Sequence, residues 1–313
     1  MAGTRLRVAV VGVGHLGRHH ARLLAAMPGV ELVAVADIDR VRAAAIAAAH
    51  ETSAVDDWQA LPADLDAVTV AVPTEAHLPV ALGLIGRGVN VLVEKPLARS
   101  VAEADTLIAA ATGRGVHLAV GHTERFNPAV TAARPYLTHP RFIEAHRLGT
   151  FPERSLDIDV VFDLMIHDLD LLLSIVGEPV VNVEAVGVPV LTPRIDIANV
   201  RLRFEGGCIA NLTASRISRD RVRKIRFFQP QSYLSIDYAA QEVEHWTLGA
   251  GPAGTPAING GKLDVPRDEP LKLELEDFMA AVRDRRPPTV TGDQGRAALA
   301  LAAEIVERME HVR

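Results

Sequence analysis

Four polar residues in the apolar segment VVFDLMIHDLDLLLSIVG, residues 160–177, have a spacing that suits proton transfer. On a helix with about 100° per residue, one narrow stripe holds Asp163, His167, Asp170 and Ser174. Asp163 lies one turn before His167 and can bind one ring nitrogen while leaving the other free, which describes an oriented general base. The alternative is a core histidine satisfied by a local aspartate, and this segment alone favours that alternative. Asp168 lies about 140° from the stripe and is expected to make a structural contact, such as a cap or an arginine pair.

A lysine at the end of a predicted strand is the second candidate group. The strand pattern NVLVEKPLA carries Glu94, Lys95 and Pro96 at its carboxyl end. Ligands of open α/β sheets bind outside the carboxyl ends of the strands, so we expect Lys95 to meet a substrate. A surface lysine paired with Glu94 explains the tripeptide equally well. The sequence leaves open whether the peptide bond before Pro96 is cis.

The third candidate group is a glycine-rich turn in VAVVGVGHLGRHHARLL. Gly12, Gly14 and Gly17 form the GxGxxG arrangement between a strand pattern and a helix pattern. In dinucleotide-binding turns these glycines permit the tight turn, the approach of the pyrophosphate and the packing of the helix on the strand. A second strand pattern ends at Asp37, about 25 residues after Gly12, where a carboxylate would bind the adenosine ribose. The combination disfavours the alternative of a glycine turn without a ligand.

Asp37 also indicates which dinucleotide is bound. A carboxylate repels a 2′-phosphate, so NAD is favoured over NADP. Arg40 is close enough in sequence to weaken that preference.

Three histidines lie within or directly after the glycine turn and raise the possibility of a metal site. His15 and His19 would lie one helical turn apart, with His20 beside them. No acidic partner completes a ligand set nearby, and the chain has one cysteine, Cys208. We therefore expect exposed or cofactor-adjacent histidines and no metal.

The order of strand and helix patterns predicts two different domains. Residues 1–122 alternate buried strand runs with helices, which is typical of a doubly wound parallel sheet. Later strand runs follow one another without crossover helices and predict an antiparallel sheet. Residues 250–270 are rich in Gly and Pro and are expected to form a long loop, followed by helices over about 271–285 and 294–312.

Composition narrows the class of protein. The 313 residues are 49% hydrophobic with a net charge of -6, and no basic run suggests a nucleic-acid partner. No apolar run is long enough for a membrane span, and no signal region precedes the first strand pattern. A single cysteine excludes an internal disulfide, so a cytoplasmic location is expected.

Taken in order, these motifs resemble the Gfo/Idh/MocA oxidoreductases nearly end to end. The resemblance rests on GVGHLG with Asp37, AVPTEAH (71–77), EKPLA (94–98), RFNPAV (125–130), DLMIHDLD (163–170) and EPLKLELEDF (269–278). It implies an α/β Rossmann domain plus an α+β domain with an open, mainly antiparallel sheet. Residues 1–122 would bind NAD. Residues 123–313 would bind substrate and form a homodimer or homotetramer, with C-terminal helices that could pack back on the first domain.

The resemblance also implies roles for individual residues. Lys95 would hydrogen-bond the reacting hydroxyl and lower its pKa, His167 would be the general base, and Asp163 its partner. Substrate binding would involve Arg125, Asn127 and His167. Cofactor binding would involve Gly12, Gly14, His15, Leu16, Gly17, Asp37, Ile38, Pro73, Thr74, His77, Glu94, Lys95 and Pro96.

The expected substrate is a sugar or nucleotide sugar. Glucose-fructose oxidoreductases use a tyrosine where this chain has His167, so the chemistry resembles that of the inositol and nucleotide-sugar dehydrogenases. GHTERFNPAV and PRFIEAHRLGTF are similar to a subgroup that includes UDP-N-acetylglucosamine 3-dehydrogenases. Arg147 and Arg154 could meet a diphosphate, or they could be ordinary surface arginines. The alternatives are an inositol or free-sugar dehydrogenase, an NADPH-driven reductase, and a non-catalytic NAD or sugar sensor.

Overall fold

Six parallel strands form the first sheet. The computed structural model describes residues 5–151, 158–251 and 255–310. The strands are β1 (Leu6–Val11), β2 (Val30–Ala36), β3 (Ser53–Val55), β4 (Ala67–Val70), β5 (Asn90–Glu94) and β6 (Leu118–Gly121). They lie in the order β3-β2-β1-β4-β5-β6, with every pair parallel. This is the doubly wound order, in which the direction of winding reverses between β1 and β4.

Eight α-helices are described. They are α1 (Gly17–Ala26), α2 (Arg40–Ala49), α3 (His77–Gly86), α4 (Val101–Arg114), α5 (Pro128–Ala133), α6 (Ile166–Val176), α7 (Pro270–Asp284) and α8 (Gly292–Glu310). Ser100 caps α4, because its hydroxyl accepts the N–H of Glu103. None of the described helices is long and apolar enough to cross a membrane.

The core under the first sheet is completed by a distant segment. Val8, Leu32 and Leu24 are buried together with Phe278 and Met279 of α7. Residues 271–299 accordingly belong to the same compact unit as residues 1–122. The second unit comprises residues 123–270 and 300–313.

The second sheet has eight strands. They are β7 (Phe142–Leu148), β8 (Val180–Val188), β9 (Ile197–Phe204), β10 (Ile209–Ser215), β11 (Val222–Gln229), β12 (Ser232–Asp237), β13 (Glu242–Ala250) and β14 (Pro256–Lys262). Their order is β14-β13-β12-β11-β7-β10-β9-β8. Only β7 and β10 pair in parallel, and all other neighbours are antiparallel. The predicted fold class is confirmed.

One prediction about this sheet is wrong. Residues 250–270 are not simply a loop, because β14 lies within them and pairs with β13. Gly260 has φ of +134°, and a Cβ on it would lie 2.0 Å from the carbonyl oxygen of His245. The glycine that suggested a loop therefore permits the close approach of two strands at the sheet edge.

The two faces of the second sheet differ. Buried residues alternate with half-buried or exposed ones along β9, β10 and β11. The more open face carries an aromatic ladder across four neighbouring strands. In register, its members are Phe142, Phe228, Tyr233 and Trp246. The ring centroids of Phe142 and Phe228 are 5.5 Å apart, and those of Phe228 and Tyr233 are 5.3 Å apart.

Candidate active site

The glycine turn after β1 has the backbone shape that a dinucleotide needs. Gly12 has φ of +82°, and a Cβ on it would lie 2.7 Å from the carbonyl oxygen of Ala71. A Cβ on Gly17 would lie 1.7 Å from the carbonyl oxygen of Gly12, so α1 begins in direct contact with the turn. A Cβ on Gly14 would meet no atom within 4 Å. The turn therefore leaves open space at the glycine that a phosphate is expected to approach, and it fits the pyrophosphate of NAD.

Asp37 follows β2 and is tied to this turn. Its Oδ2 accepts the N–H of Val13 at 2.8 Å, and its Oδ1 accepts the N–H of Asp39 at 2.9 Å. Arg42 donates from Nε to Oδ2 at 3.0 Å and from Nη2 to Oδ1 at 2.6 Å. Burial raises the pKa of Asp37, but the hydrogen bonds from Arg42 and the two N–H groups outweigh it and hold the pKa below its usual value. The carboxylate of Asp37 is therefore charged in this structure.

The arginine beside Asp37 is not the one expected from the sequence. Arg40 is 82% exposed and forms an ion pair with Asp56. Asp39 caps α2 by accepting the N–H groups of Val41 and Arg42, and from the first turn of this helix Arg42 reaches Asp37. The expectation for Arg40 is therefore wrong, and the arginine that pairs with Asp37 is Arg42, two positions later.

Three residues beside the glycine turn and Asp37 are open to solvent. His15 is exposed, Leu16 is 41% exposed and Ile38 is 92% exposed. An exposed apolar pair suits the predicted contact with the cofactor, which stays a prediction. The rings of His15 and His19 lie 6.0 Å apart, and no group of three potential metal ligands occurs among the described residues.

His77 joins the segment after β4 to the segment after β5. Its Nδ1 lies 2.9 Å from the carbonyl oxygen of Pro96, and its Nε2 lies 3.0 Å from that of Val72. The ring is buried, and burial lowers the pKa of His77 although both carbonyls favour protonation. Its neighbours Pro73 and Thr74 are exposed and half-buried. His77 thus fixes the chain around Lys95. Its contact with the cofactor stays a prediction.

Glu94 is paired with a residue that the sequence did not single out for this role. Nε2 of the fully buried His20 lies 3.0 Å from Oε1 of Glu94. Burial raises the pKa of Glu94, but the bond to His20 and the positive charge of Lys95 leave it below its usual value. A Cβ on Gly121 would lie 3.1 Å from the carboxyl carbon of Glu94, so the facing strand also makes room for this side chain.

Lys95 is presented directly after the buried end of β5. Its backbone N–H donates to Oε2 of Glu94 at 3.3 Å, and its side chain is half-buried. The peptide bond between Lys95 and Pro96 is cis. His20, Glu94 and His77 therefore hold the backbone on both sides of the lysine.

The segment before His167 contains a π-helical turn. Val161–Met165 has this geometry, and the N–H of Ile166 donates to the carbonyl oxygen of Val161. The wider turn means that the 100° periodicity used to predict one stripe does not apply across Asp163. Asp163 and His167 are both half-buried. Their predicted pairing as base and orienter stays a prediction.

The other polar residues of α6 anchor it. Asp168 accepts two hydrogen bonds from Arg147, at 2.8 Å from Nε and 2.9 Å from Nη2. Arg147 also donates from Nη1 to Glu124 at 2.9 Å, and its guanidinium carbon lies 5.1 Å from the ring centroid of Tyr238. Burial lowers the pKa of Arg147, but Asp168 and Glu124 raise it well above the usual value.

Two sequence interpretations are settled by this cluster. The expected arginine partner of Asp168 is confirmed. The suggestion that Arg147 meets a diphosphate is wrong, and so is the surface alternative, because the side chain is 4% exposed and each guanidinium nitrogen bonds a carboxylate. Arg154 lies outside the described residues.

Arg125 and Asn127 are likewise committed to protein contacts. Arg125 donates to Asp170 from Nε at 2.7 Å and from Nη2 at 3.1 Å, and both side chains are buried. Asn127 caps α5 through the N–H of Ala129 and donates to the carbonyl oxygen of Tyr238. Ser174 bonds the carbonyl oxygen of Leu171, so neither Asp170 nor Ser174 extends a polar stripe. Substrate contact by Arg125 or Asn127 stays a prediction.

Comparison with known proteins agrees with the fold and the glycine turn. Residues 6–122 match the model of the Gfo/Idh/MocA oxidoreductase family with an NAD-binding Rossmann fold, and residues 136–229 match the model of a Gfo/Idh/MocA C-terminal domain. The chain is 40% identical over 302 residues to UDP-N-acetylglucosamine 3-dehydrogenase of Acidithiobacillus ferrooxidans, covering 96% of each protein. It is 26% identical to myo-inositol 2-dehydrogenase of Thermotoga maritima, covering 98% of this chain and 97% of that protein.

Solved structures give the same result. A structure of the Acidithiobacillus ferrooxidans UDP-N-acetylglucosamine 3-dehydrogenase superposes with a TM-score of 0.93 at 40% identity, covering 98% of each chain. Levoglucosan dehydrogenase in complex with NADH and levoglucosan superposes with a TM-score of 0.88 at 20% identity, covering 98% of each chain, which shows a shared fold.

Proposed function

The chain belongs to the Gfo/Idh/MocA oxidoreductases, and on this premise we propose that it oxidises the 3-hydroxyl of UDP-N-acetylglucosamine. One observation carries the choice of substrate: the 40% identity to a dehydrogenase of that name extends over 96% of both proteins. Lys95, Asp163 and His167 are all present, which favours an enzyme over a sensor. NAD is the cofactor, and when bound it supplies the hydride acceptor.

We assign the proton chemistry to three side chains. His167 takes the proton of the reacting hydroxyl, and Asp163 orients the imidazole and stabilises its charged form. The ammonium of Lys95 donates a hydrogen bond to the same oxygen and stabilises its developing negative charge. The bonds of His20 to Glu94 and of His77 to Pro96 support this assignment, because they hold the backbone that carries Lys95.

The diphosphate of a nucleotide sugar needs a cation, and Arg223 is our candidate. Arg223 on β11 lies directly opposite Arg147 on β7, so its side chain points to the sheet face that meets α6 through Asp168. Partial desolvation and the positive charge of Arg147 lower its pKa, although Glu124 and Asp168 act in the opposite direction. Within the described part of the chain it forms no ion pair. Arg223 is exposed and so accessible to a diphosphate, which an arginine can bind through two parallel hydrogen bonds.

The proposal also includes a homo-oligomer. The aromatic ladder of the second sheet lies on its more open face, with Trp246 37% exposed at one end and Phe142 at the other. A second copy of the chain covering this face would bury the ladder. Aromatic residues are enriched at the buried centre of protein interfaces. Dimer and tetramer are distinguished by light scattering after size exclusion, and Trp246→Lys should shift either one towards monomer. We also propose a cytosolic location, because the single cysteine, whose thiol is buried, cannot form an internal disulfide.

The test of the activity is a substrate panel with matched variants. The protein is incubated with NAD and UDP-sugars, free sugars or inositols, while the absorbance of reduced nicotinamide is followed. Lys95→Met and His167→Ala should each lower turnover by about 10²–10⁴-fold, while both variants still bind NADH. Lys262→Met and His146→Ala serve as controls, since both residues lie on the second sheet outside the assigned chemistry.

Three outcomes would contradict parts of the proposal. Near-normal turnover in Lys95→Met would remove the role of that lysine. Oxidation of an inositol in preference to UDP-N-acetylglucosamine would move the substrate towards the relatives at lower identity. If no member of the panel leads to reduction of NAD, a non-catalytic NAD or sugar sensor would be the better interpretation of this protein.

A further inference from the structure

Every acceptor position of Asp37 is occupied. An ionised carboxylate offers about four lone-pair sites, two on each oxygen. Oδ1 accepts from the N–H of Asp39 and from Nη2 of Arg42, while Oδ2 accepts from the N–H of Val13 and from Nε of Arg42. The adenosine ribose of NAD also needs this carboxylate for its hydroxyls. NAD can therefore bind in the expected way only if donors leave.

The four donors differ in how easily they can leave. Those of Val13 and Asp39 are backbone groups, fixed by the glycine turn and by the N-terminus of α2. Those of Arg42 belong to a long side chain that is 43% exposed. Its Nη1 also lies 3.5 Å from Oδ2 of Asp39, so the guanidinium has a second anionic neighbour when it turns away from Asp37.

We propose that Arg42 is a displaceable occupant of the ribose site and sets the balance between NAD and NADP. NAD replaces the two bonds of Arg42 with bonds from its ribose hydroxyls. NADP instead meets the guanidinium, which pairs with two oxygens of the 2′-phosphate in the geometry that arginine favours. The charge of Asp37 would repel that phosphate, and Arg42 offsets it. The chain therefore binds both dinucleotides, although the carboxylate alone indicates NAD.

Removing Arg42 should change the two affinities in opposite directions. Arg42→Met takes away the competitor for Asp37, so NADH should bind several-fold more tightly. It also removes the guanidinium that binds the 2′-phosphate and leaves the charge of Asp37 unneutralised. The affinity for NADPH should therefore fall by about tenfold or more. Arg42→Lys keeps the charge but not the two-point geometry, so its NADPH affinity should fall between the other two.

Arg40 provides a matched control. It lies two residues earlier in α2, carries the same charge and pairs with Asp56. Arg40→Met should leave both affinities close to those of the parent protein. The dissociation constants are measured by fluorescence titration of NADH and NADPH at two salt concentrations, with a melting temperature for each variant.

The outcomes separate the proposal from a simple charge effect. An opposite shift of NADH and NADPH in Arg42→Met, absent in Arg40→Met, supports it. A loss of both affinities in Arg42→Met with an unchanged melting temperature would overturn it, as would two unchanged affinities. An equal NADPH loss in Arg40→Met would also overturn it, because general attraction would then explain the binding. If Arg42→Met has a lowered melting temperature, the test uses Arg42→Lys instead. An unchanged NADPH affinity in Arg42→Lys would then overturn the proposal.

Discussion

Arg147 and Asp168 form a two-point ion pair in which both side chains are almost fully buried. The pair attaches α6 to β7 next to His167, and Nη1 of Arg147 pairs with Glu124. Arg125 and Asp170 repeat the arrangement two residues later on the same helix. The proposed base is thus carried on a helix held by two buried ion pairs on either side of Leu169.

Breaking the first pair should destabilise the protein markedly. Asp168→Asn leaves a buried guanidinium with Glu124 alone, and we expect a loss of roughly 3 kcal/mol in the free energy of unfolding. Arg296→Met is the control, because it breaks an exposed pair with Asp105 and should cost about 0–1 kcal/mol. Urea-induced unfolding of the full chain measures both. Equal losses would show that the buried pair contributes no more than a surface contact.

The glycine turn should separate folding from cofactor binding. Gly14→Ala places its methyl group in open space, so the melting temperature should hardly change while NADH binding weakens at least tenfold. Gly17→Ala places its methyl group against the backbone of Gly12, so the melting temperature should fall. NADH titration and thermal unfolding report the two effects. Unchanged NADH affinity in Gly14→Ala would argue against the pyrophosphate lying at this glycine.

Asp196 should make stability depend on pH in acid. Its Oδ2 accepts the N–H groups of residues 190–192 at 2.6–2.8 Å, and its Oδ1 accepts Nε of Arg216 at 2.9 Å. Burial raises its pKa, but the three N–H groups and the hydroxyl of Thr192 bring it well below the usual value. Asp196 has a lower pKa in the folded protein than in the unfolded chain. Its ionised carboxylate therefore stabilises the fold fully at pH values above the unfolded-state pKa. This stabilisation is lost as the pH falls towards the folded-state pKa.

The stability difference between the parent protein and Asp196→Asn should therefore be constant from about pH 5 to pH 8 and narrow below about pH 4. Asp105→Asn, at the exposed pair with Arg296, should show a much smaller difference throughout. A difference that grew on acidification would contradict the assigned direction of the pKa shift.

Arg223 should affect the nucleotide part of the substrate more than the chemistry. Arg223→Met is expected to raise the KM for a UDP-sugar about tenfold or more with a smaller change in kcat. Arg201→Met removes the same charge from an exposed residue of β9 that bonds Asn211, and it should leave KM unchanged. If Arg223→Met oxidises a UDP-sugar with an unaltered KM, the diphosphate does not bind at Arg223.

The sequence predicted those features that depend on local patterns. Continuous buried runs indicated the parallel sheet, and the positions of Gly12 and Asp37 indicated the cofactor turn. It could not predict the π-helical turn around Asp163, since apolar periodicity does not encode a change from four-residue to five-residue hydrogen bonding. Nor could it show that Arg147 faces Asp168, because that contact depends on the register of strands and helices far apart in the chain.

The return of α7 to the first sheet has a consequence for synthesis on the ribosome. The last strand of that sheet ends at Gly121, but Phe278 and Met279 belong to its core and are made some 150 residues later. During that interval the nascent sheet presents uncovered apolar surface to its surroundings, and such surface favours aggregation and chaperone binding. Translation must therefore be nearly finished before the cofactor domain can close its core, although its cofactor motif is among the first residues to emerge.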